Sequence, residues 1–203
     1  MSFLLHGNEG DFKLRSGDLI FQESRSGGVG EAIKGVTGSI EGYHFTHVGM
    51  VYINRHNRIF VIEATPPRVR ITPLQEFLYP AEERKSPPHS VVGRLKSRYR
   101  FCISGAIKKG LSLVGKAYDE VYDLNNDSYY CSELIYFMLL EGNHGKPVFQ
   151  LDKMTFKAAD ADSILPAWRT YFEKRGVAIP EGELGINPGA MSRSDVVDIV
   201  HYY

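Results

Sequence analysis

The stretch THVGMVYINRHNRIFVIEAT, residues 46–65, constrains the chain most. Two apolar, β-branched runs flank the polar turn Asn54 to Asn57, which is the pattern of a β-hairpin. Each run carries one residue foreign to an apolar strand: His47 opens the first and Glu63 interrupts the second. A ring nitrogen or a carboxylate buried without a partner is costly. Folding about the turn brings position 47 opposite roughly positions 63 to 65, so each side chain can satisfy the other. A carboxylate that accepts one ring N–H fixes the tautomer and leaves the second ring nitrogen for another task.

Cys131 is the candidate for that task. In DSYYCSELIYFMLLEGN, residues 127–143, Asp127 or Ser128 is placed to cap a helix, and Leu134 to Leu140 is apolar almost all round. This predicts a buried helix ending at Gly142 with Cys131 in its first turn. Unpaired N–H groups at a helix start favour the thiolate, the form that attacks a carbonyl carbon. An unpaired cysteine more often serves as a small apolar side chain. A histidine base with an acid behind it is what points to a nucleophile.

The remaining histidines, His6, His56, His89, His144 and His201, lie in polar, loop-like or terminal contexts. His44 precedes His47 by three residues, an odd spacing that sends strand side chains to opposite faces, so the two are not expected to chelate zinc. Asp18, Asp119 and Asp123 read as turn or capping residues. The second cysteine, Cys102, has no histidine nearby in sequence and reads as core. Two cysteines without a CxxC spacing give neither a disulfide framework nor a zinc motif, so no metal and no cofactor are expected.

No Pro-, Ser- or charge-rich stretch divides the 203 residues, which predicts one domain, 1–203, with 146–203 as a C-terminal extension packed on it. SGDLIFQ, RVRITPL and SVVGRLK add strands to the hairpin and predict a small, mainly antiparallel sheet. A short helix is expected over Val29 to Val36 and a single turn at PLQEF after Pro73. Ile103, Ala106, Ile107, Leu111 and Val114 recur at helical spacing before Gly115. Another helix is expected around Ala167 to Arg175, then an irregular stretch IPEGELGINPGAMSRSD and a final strand VVDIVHYY. Lys plus Arg and Asp plus Glu each number 24, so no overall field draws nucleic acid or an anionic membrane. No window approaches the ~20 apolar residues of a membrane span. MSFLLHGNEGDF holds too short an apolar run for a signal peptide, so the expected location is cytoplasmic by default, or the cell envelope if a leader once preceded Met1.

The ordered set SGDLIFQ, THVGMVY, VIEATP, GKAYD and YYCSELIY resembles the circularly permuted branch of the papain-like cysteine amidases and peptidases. Within it the likeness is to bacterial YiiX-type proteins, relatives of the NlpC cell-wall peptidases and of lecithin:retinol acyltransferase. In unpermuted chains the cysteine helix precedes the histidine strand; here His47 and Glu63 precede Cys131. The resemblance implies an α+β, permuted papain-like (NlpC-type) fold, a small antiparallel sheet against helices with the nucleophile at a helix N-terminus. It implies Cys131 in CSEL as nucleophile, His47 in HVG as base and Glu63 in IEA as orienting acid, the same three residues that the burial chemistry selects.

The backbone N–H of Cys131 is one expected oxyanion donor, with Tyr118, Tyr130 and Gln22 as candidates for a second donor or for substrate binding. The expected activity is that of a cysteine hydrolase working through an acyl-enzyme, on a peptide such as a cell-wall stem or on an acyl-bearing small molecule. Three alternatives remain. One is a lipid acyltransferase or thioesterase with the same triad. Another is a binding module of little turnover, with Gly27-Gly28 and the Gly182 to Gly189 segment as its mouth. The third, a redox-sensing cysteine, lacks a resolving partner.

Overall fold

The computed structural model describes residues 12–23, 38–80, 89–158 and 163–203. The chain enters through β1 (Leu19–Gln22), followed by the hairpin of β2 (His47–Ile53) and β3 (Ile59–Thr65), then β4 (Arg68–Pro73), the short helix α1 (Leu74–Leu78) and β5 (Ser90–Leu95). Two longer helices follow, α2 (Ile103–Ser112) and α3 (Cys131–Gly142). The remainder supplies β6 (Asp152–Lys153), α4 (Pro166–Glu173), β7 (Leu184–Gly185), α5 (Pro188–Arg193) and β8 (Val197–Tyr202). Six strands form one sheet in the order β4-β3-β2-β1-β5-β8, with every neighbour antiparallel, while β6 and β7 pair separately.

The hairpin register is fixed at its turn. Asn54 Oδ1 accepts the backbone N–H of His56 and of Arg58, and Asn57 takes the positive φ of 58° that asparagine tolerates. Val51 then lies opposite Val61, and Met50 opposite Ile62. Both faces of the central strands are covered, which is why β2 and β3 read as near-continuous apolar runs. Val48, Met50 and Ile62 pack in the main core with Leu134 and Met138 of α3. Ile20, Val51 and Val61 join Phe77 and Leu78 of α1 and Val92 in a second core. A third, aromatic cluster holds Phe156, Trp168 and Phe172, with Phe156 edge-on to Trp168 at 5.1 Å. Among the described residues no helix is long and apolar enough to cross a membrane.

Two expectations need correction. The helix start is Cys131 itself, with Tyr130 as N-cap in place of Asp127 or Ser128. Asp127 is drawn away into an ion pair with Lys116, and the Ser128 N–H is bonded to Asn126 Oδ1 in the preceding turn. Glu133, three positions past the cap, accepts the Tyr130 N–H at 3.0 Å, so a capping-box acid defines this helix start. The irregular Gly/Pro stretch contains α5, whose N-cap Asn187 accepts the Ala190 N–H at 2.8 Å with Pro188 at the first helical position. Asp18 is a turn residue, accepting the Arg15 N–H, and it also holds Arg94 through both of its oxygens in a buried pair. The helix expected over Val29 to Val36 lies outside the described residues.

Helices α2 and α3 cross in backbone contact. A Cβ on Gly142 would stand 2.2 Å from the carbonyl oxygen of Cys102, and one on Gly105 would stand 2.9 Å from Gly142 Cα. Helix propensity alone makes Gly142→Ala stabilising by roughly 1 kcal/mol. The crossing reverses the sign, and we expect Gly142→Ala to lower the unfolding free energy by about 1–3 kcal/mol. A denaturant midpoint equal to or above that of the parent would show that the crossing is looser than described.

Candidate active site

Cys131 is buried at the first position of α3, its sulfur 4.0 Å from the carbonyl oxygen of Thr46. Thr46 immediately precedes His47, so the helix start abuts the end of β2. Continuing the register from Met50–Ile62 places His47 level with Thr65 and makes Glu63 its diagonal neighbour on the same sheet face. The diagonal is closed by a bond of 2.6 Å between His47 Nε2 and Glu63 Oε2. Because Nε2 is occupied, Nδ1 is the nitrogen left free, and Cys131 stands near enough to help raise the ring's affinity for a proton.

The ring is seated from behind. Phe77 of α1 lies 5.6 Å from it, centroid to centroid. Gly49, two residues along on the same face, leaves room for that aromatic ring, since a Cβ there would stand 3.1 Å from Phe77 Cε2. Gln22 donates through Nε2 to the Phe77 carbonyl at 2.6 Å, which ties α1 to β1 beneath the histidine. Gln22 does not line the cavity at Cys131.

Sequence reasoning did not anticipate how Glu63 is held. Arg70 lies directly opposite it on β4, and Arg70 Nε donates to Oε1 at 2.9 Å. Thr72, buried on the same face of β4, donates to the same oxygen. The signal was present, because Arg68, Arg70 and Thr72 alternate with apolar residues in RVRIT. Burial opposes charging His47, but hydrogen bonds to Cys131 and Glu63 and their negative charges outweigh it and raise the ring to about 10. Burial likewise opposes ionising Glu63, yet His47, Thr72 and Arg70 hold it down to about 2.

The sulfur opens on a cavity of about 250 Å³, bounded on one side by Tyr118, Tyr122 and Trp168 and on the other by the segment around Ile186. The two neighbours of Cys131 fasten that far wall. Tyr130 accepts the Ile186 N–H on its hydroxyl at 3.2 Å, and Ser132 donates its hydroxyl to the Ile186 carbonyl at 2.9 Å. Tyr118 lines the cavity, and its hydroxyl has no hydrogen-bond partner among the described residues. Burial, then the negative charge at Cys131, pushes the Tyr118 phenol up and keeps it a donor. Glu133 is fully buried, and burial foremost raises its carboxyl to about 8. Asp119 caps its own turn, accepting from Val121 and Asp123, and Cys102 is a buried free thiol in the main core.

A cysteine at a helix start, with a histidine and a carboxylate on strands that precede it in the chain, is the arrangement of a papain-like site in permuted order. A family model described as a permuted papain-like amidase enzyme of the YaeF/YiiX, C92 family matches residues 13–201, and the chain belongs to this family. It is 33% identical over 122 residues to the uncharacterized protein YiiX of Escherichia coli strain K12, a match spanning 60% of this chain and 55% of that protein. A crystal structure of yiiX from Escherichia coli O157:H7, described as a metalloprotein, aligns with a TM-score of 0.74 at 25% identity over 95% of this chain and 99% of its own. Among the described residues of this chain, no group of three or more His, Cys, Asp or Glu side chains is placed to hold a metal ion.

Two outcomes follow from this geometry. Iodoacetamide should alkylate Cys131 at neutral pH about tenfold or more faster than Cys102, and His47→Ala should slow only the Cys131 reaction. Unchanged Cys131 kinetics in that variant would mean that ring and sulfur do not interact. The ion pair should also set a pH window for stability. His47 is raised on folding, so its contribution is full below pH 6.5 and is lost as pH climbs through about 10. Glu63 is depressed, so its contribution is full above pH 4.5 and is lost as pH falls through about 2. The unfolding free-energy difference between parent and Glu63→Gln, measured by urea titration, should therefore be largest between these limits. A difference independent of pH would show that the pair is not ionised.

Proposed function

We propose that the protein is a cysteine hydrolase of amides or esters with Cys131 as nucleophile, His47 as acid and base, and Glu63 as the group that orients and stabilises the imidazolium. The observation that carries this is the 2.6 Å bond from His47 Nε2 to a carboxylate whose other oxygen is bonded by Arg70 and Thr72, which leaves Nδ1 free for the sulfur. Sulfur adds to the carbonyl carbon with the thiol proton held on His47. The tetrahedral intermediate collapses with His47 protonating the leaving amine or alkoxide, and a thioester remains on Cys131. Water then attacks the thioester while His47 accepts its proton.

The backbone N–H of Cys131 and the Tyr118 hydroxyl are the assigned oxyanion donors, because Tyr118 lines the cavity and its hydroxyl has no other partner among the described residues. Tyr130, whose hydroxyl already accepts from Ile186, supports the wall, and Gln22 supports α1 behind the histidine. At about 250 Å³ the cavity is smaller than the ~300–1,000 Å³ typical of ligand pockets, which favours a short acyl or peptidyl group over a long lipid chain. A metal does not fit the donor set at the cysteine, since His47 Nε2 and both Glu63 oxygens are already bonded. Proton transfer is therefore assigned to side chains.

Glu63→Gln tests the assignment. The amide oxygen can still accept from the ring, but the charge that stabilises the imidazolium is lost. Acyl-enzyme formation, followed as p-nitrophenolate released from an activated ester, should fall by about 10³–10⁴ with ligand affinity retained. A rate equal to that of the parent would leave Glu63 structural and reduce the site to a binding cleft.

A further inference from the structure

The cavity at Cys131 is aromatic within and cationic at its rim. Lys153 on β6 and Arg193 at the end of α5 both line it, and both are exposed. Other cations near acids in this chain are paired: Arg94 with Asp18, Arg70 with Glu63, Lys116 with Asp127 and Arg175 with Glu120. Lys153 and Arg193 have no ion-pair or hydrogen-bond partner among the described residues. Asp152, the one acid among the lining residues, pairs with neither of them. Of the acids near the mouth, Glu181 is occupied by the Thr155 hydroxyl and the Phe156 N–H, so the two cations at the rim remain unpaired among the described residues. A low-dielectric cleft concentrates such a field, and an arginine fork matches the paired oxygens of a carboxylate or phosphate. The wall that carries Arg193 is tied to the neighbours of Cys131 through Ile186, which keeps the backbone at this rim close to the sulfur.

We propose that this cavity selects a short acyl or peptidyl ligand with an apolar body and one anionic group, a carboxylate or a phosphate, held by Arg193 and Lys153. The proposal rests on the hydrolase reading for the fate of the ligand, and on the rim charges for its binding.

Trp168 is the sole tryptophan of the sequence and lines the cavity, so its fluorescence reports occupancy without any turnover. Full-length protein is titrated at low salt with 3-phenylpropanoate against 3-phenylpropanamide, and with 2-phenylethyl phosphate against 2-phenylethanol. In at least one pair the anion should bind about tenfold tighter, and the pair that shows it identifies the anion. The preference should vanish in the double variant Arg193→Gln with Lys153→Gln and return in part with Arg193→Lys. Equal affinities in both pairs, or a preference that survives the double variant, would overturn the proposal. A second readout separates it from the hydrolase reading: mono-p-nitrophenyl glutarate should acylate Cys131 about tenfold faster than p-nitrophenyl pentanoate, as seen by intact mass. Anion preference in fluorescence with no acylation by either ester would sink the hydrolase reading and leave the anion site standing. Acylation by both esters at equal rates, without a fluorescence preference, would sink the anion site alone.

Discussion

A carboxylate sits in the middle of an apolar strand, 3% exposed, and the rest of the site depends on how its charge is shared. Leaving Glu63 ionised and unpartnered there would cost several kcal/mol. Three donors from two flanking strands meet it: His47 from β2, and Arg70 and Thr72 from β4. The requirement locks the register of three strands together, because a slip of one residue in either neighbour would turn its donor to the opposite face. Once that register is set, the histidine has one orientation and one free nitrogen.

The sulfur is positioned from a different direction. Helix α3 begins at Cys131 because Tyr130 is extended and Glu133 reaches back to its N–H. Tyr130 and Ser132 then grip the two polar atoms of one peptide residue, Ile186, far along the chain. The histidine is backed by Phe77, admitted by the missing side chain at Gly49, and α1 is held by Gln22. Cys131 and His47 thus stand on separate rigid supports, the helix and the sheet, which adjoin at the Thr46 end of β2. Catalytic geometry of this kind tolerates errors of about half an ångström, which loops alone rarely guarantee.

The central hairpin, the sheet's other strands and the buried helix were legible because period and burial act locally, and foreign polar residues stand out in apolar runs. His47 and Glu63 were legible for the same reason, and the structure bonds them to each other at 2.6 Å; Cys131 was legible from its place at a helix start, where the structure puts it. Arg70 and Thr72 were not, since alternation along a strand shows which residues share a face but not which strand lies alongside. The helix cap was misplaced because Asp127 and Ser128 are better intrinsic caps than Tyr130. A competing ion pair with Lys116 and a side-chain turn at Asn126 overrode that preference. The Ile186 clamp joins residues more than fifty positions apart and leaves no mark on the local pattern.

The same electrostatics give the proposed reaction an internal timing. Glu63, with the charge that a deprotonated Cys131 adds, raises the affinity of His47 for its proton. When sulfur adds to the carbonyl carbon its charge disappears, and with it the contribution of Cys131 to the affinity of His47 for its proton. Glu63 alone then stabilises the imidazolium, so the proton is held less tightly at the step where the leaving group needs it. After that transfer the neutral ring, still oriented through Nε2, is free to accept a proton from water at Nδ1. The thiolate that departs on hydrolysis restores the charge that helps hold this proton on the ring. Glu63 therefore holds the ring through the whole cycle, while Cys131 modulates its basicity from step to step, and neither task requires a moving part.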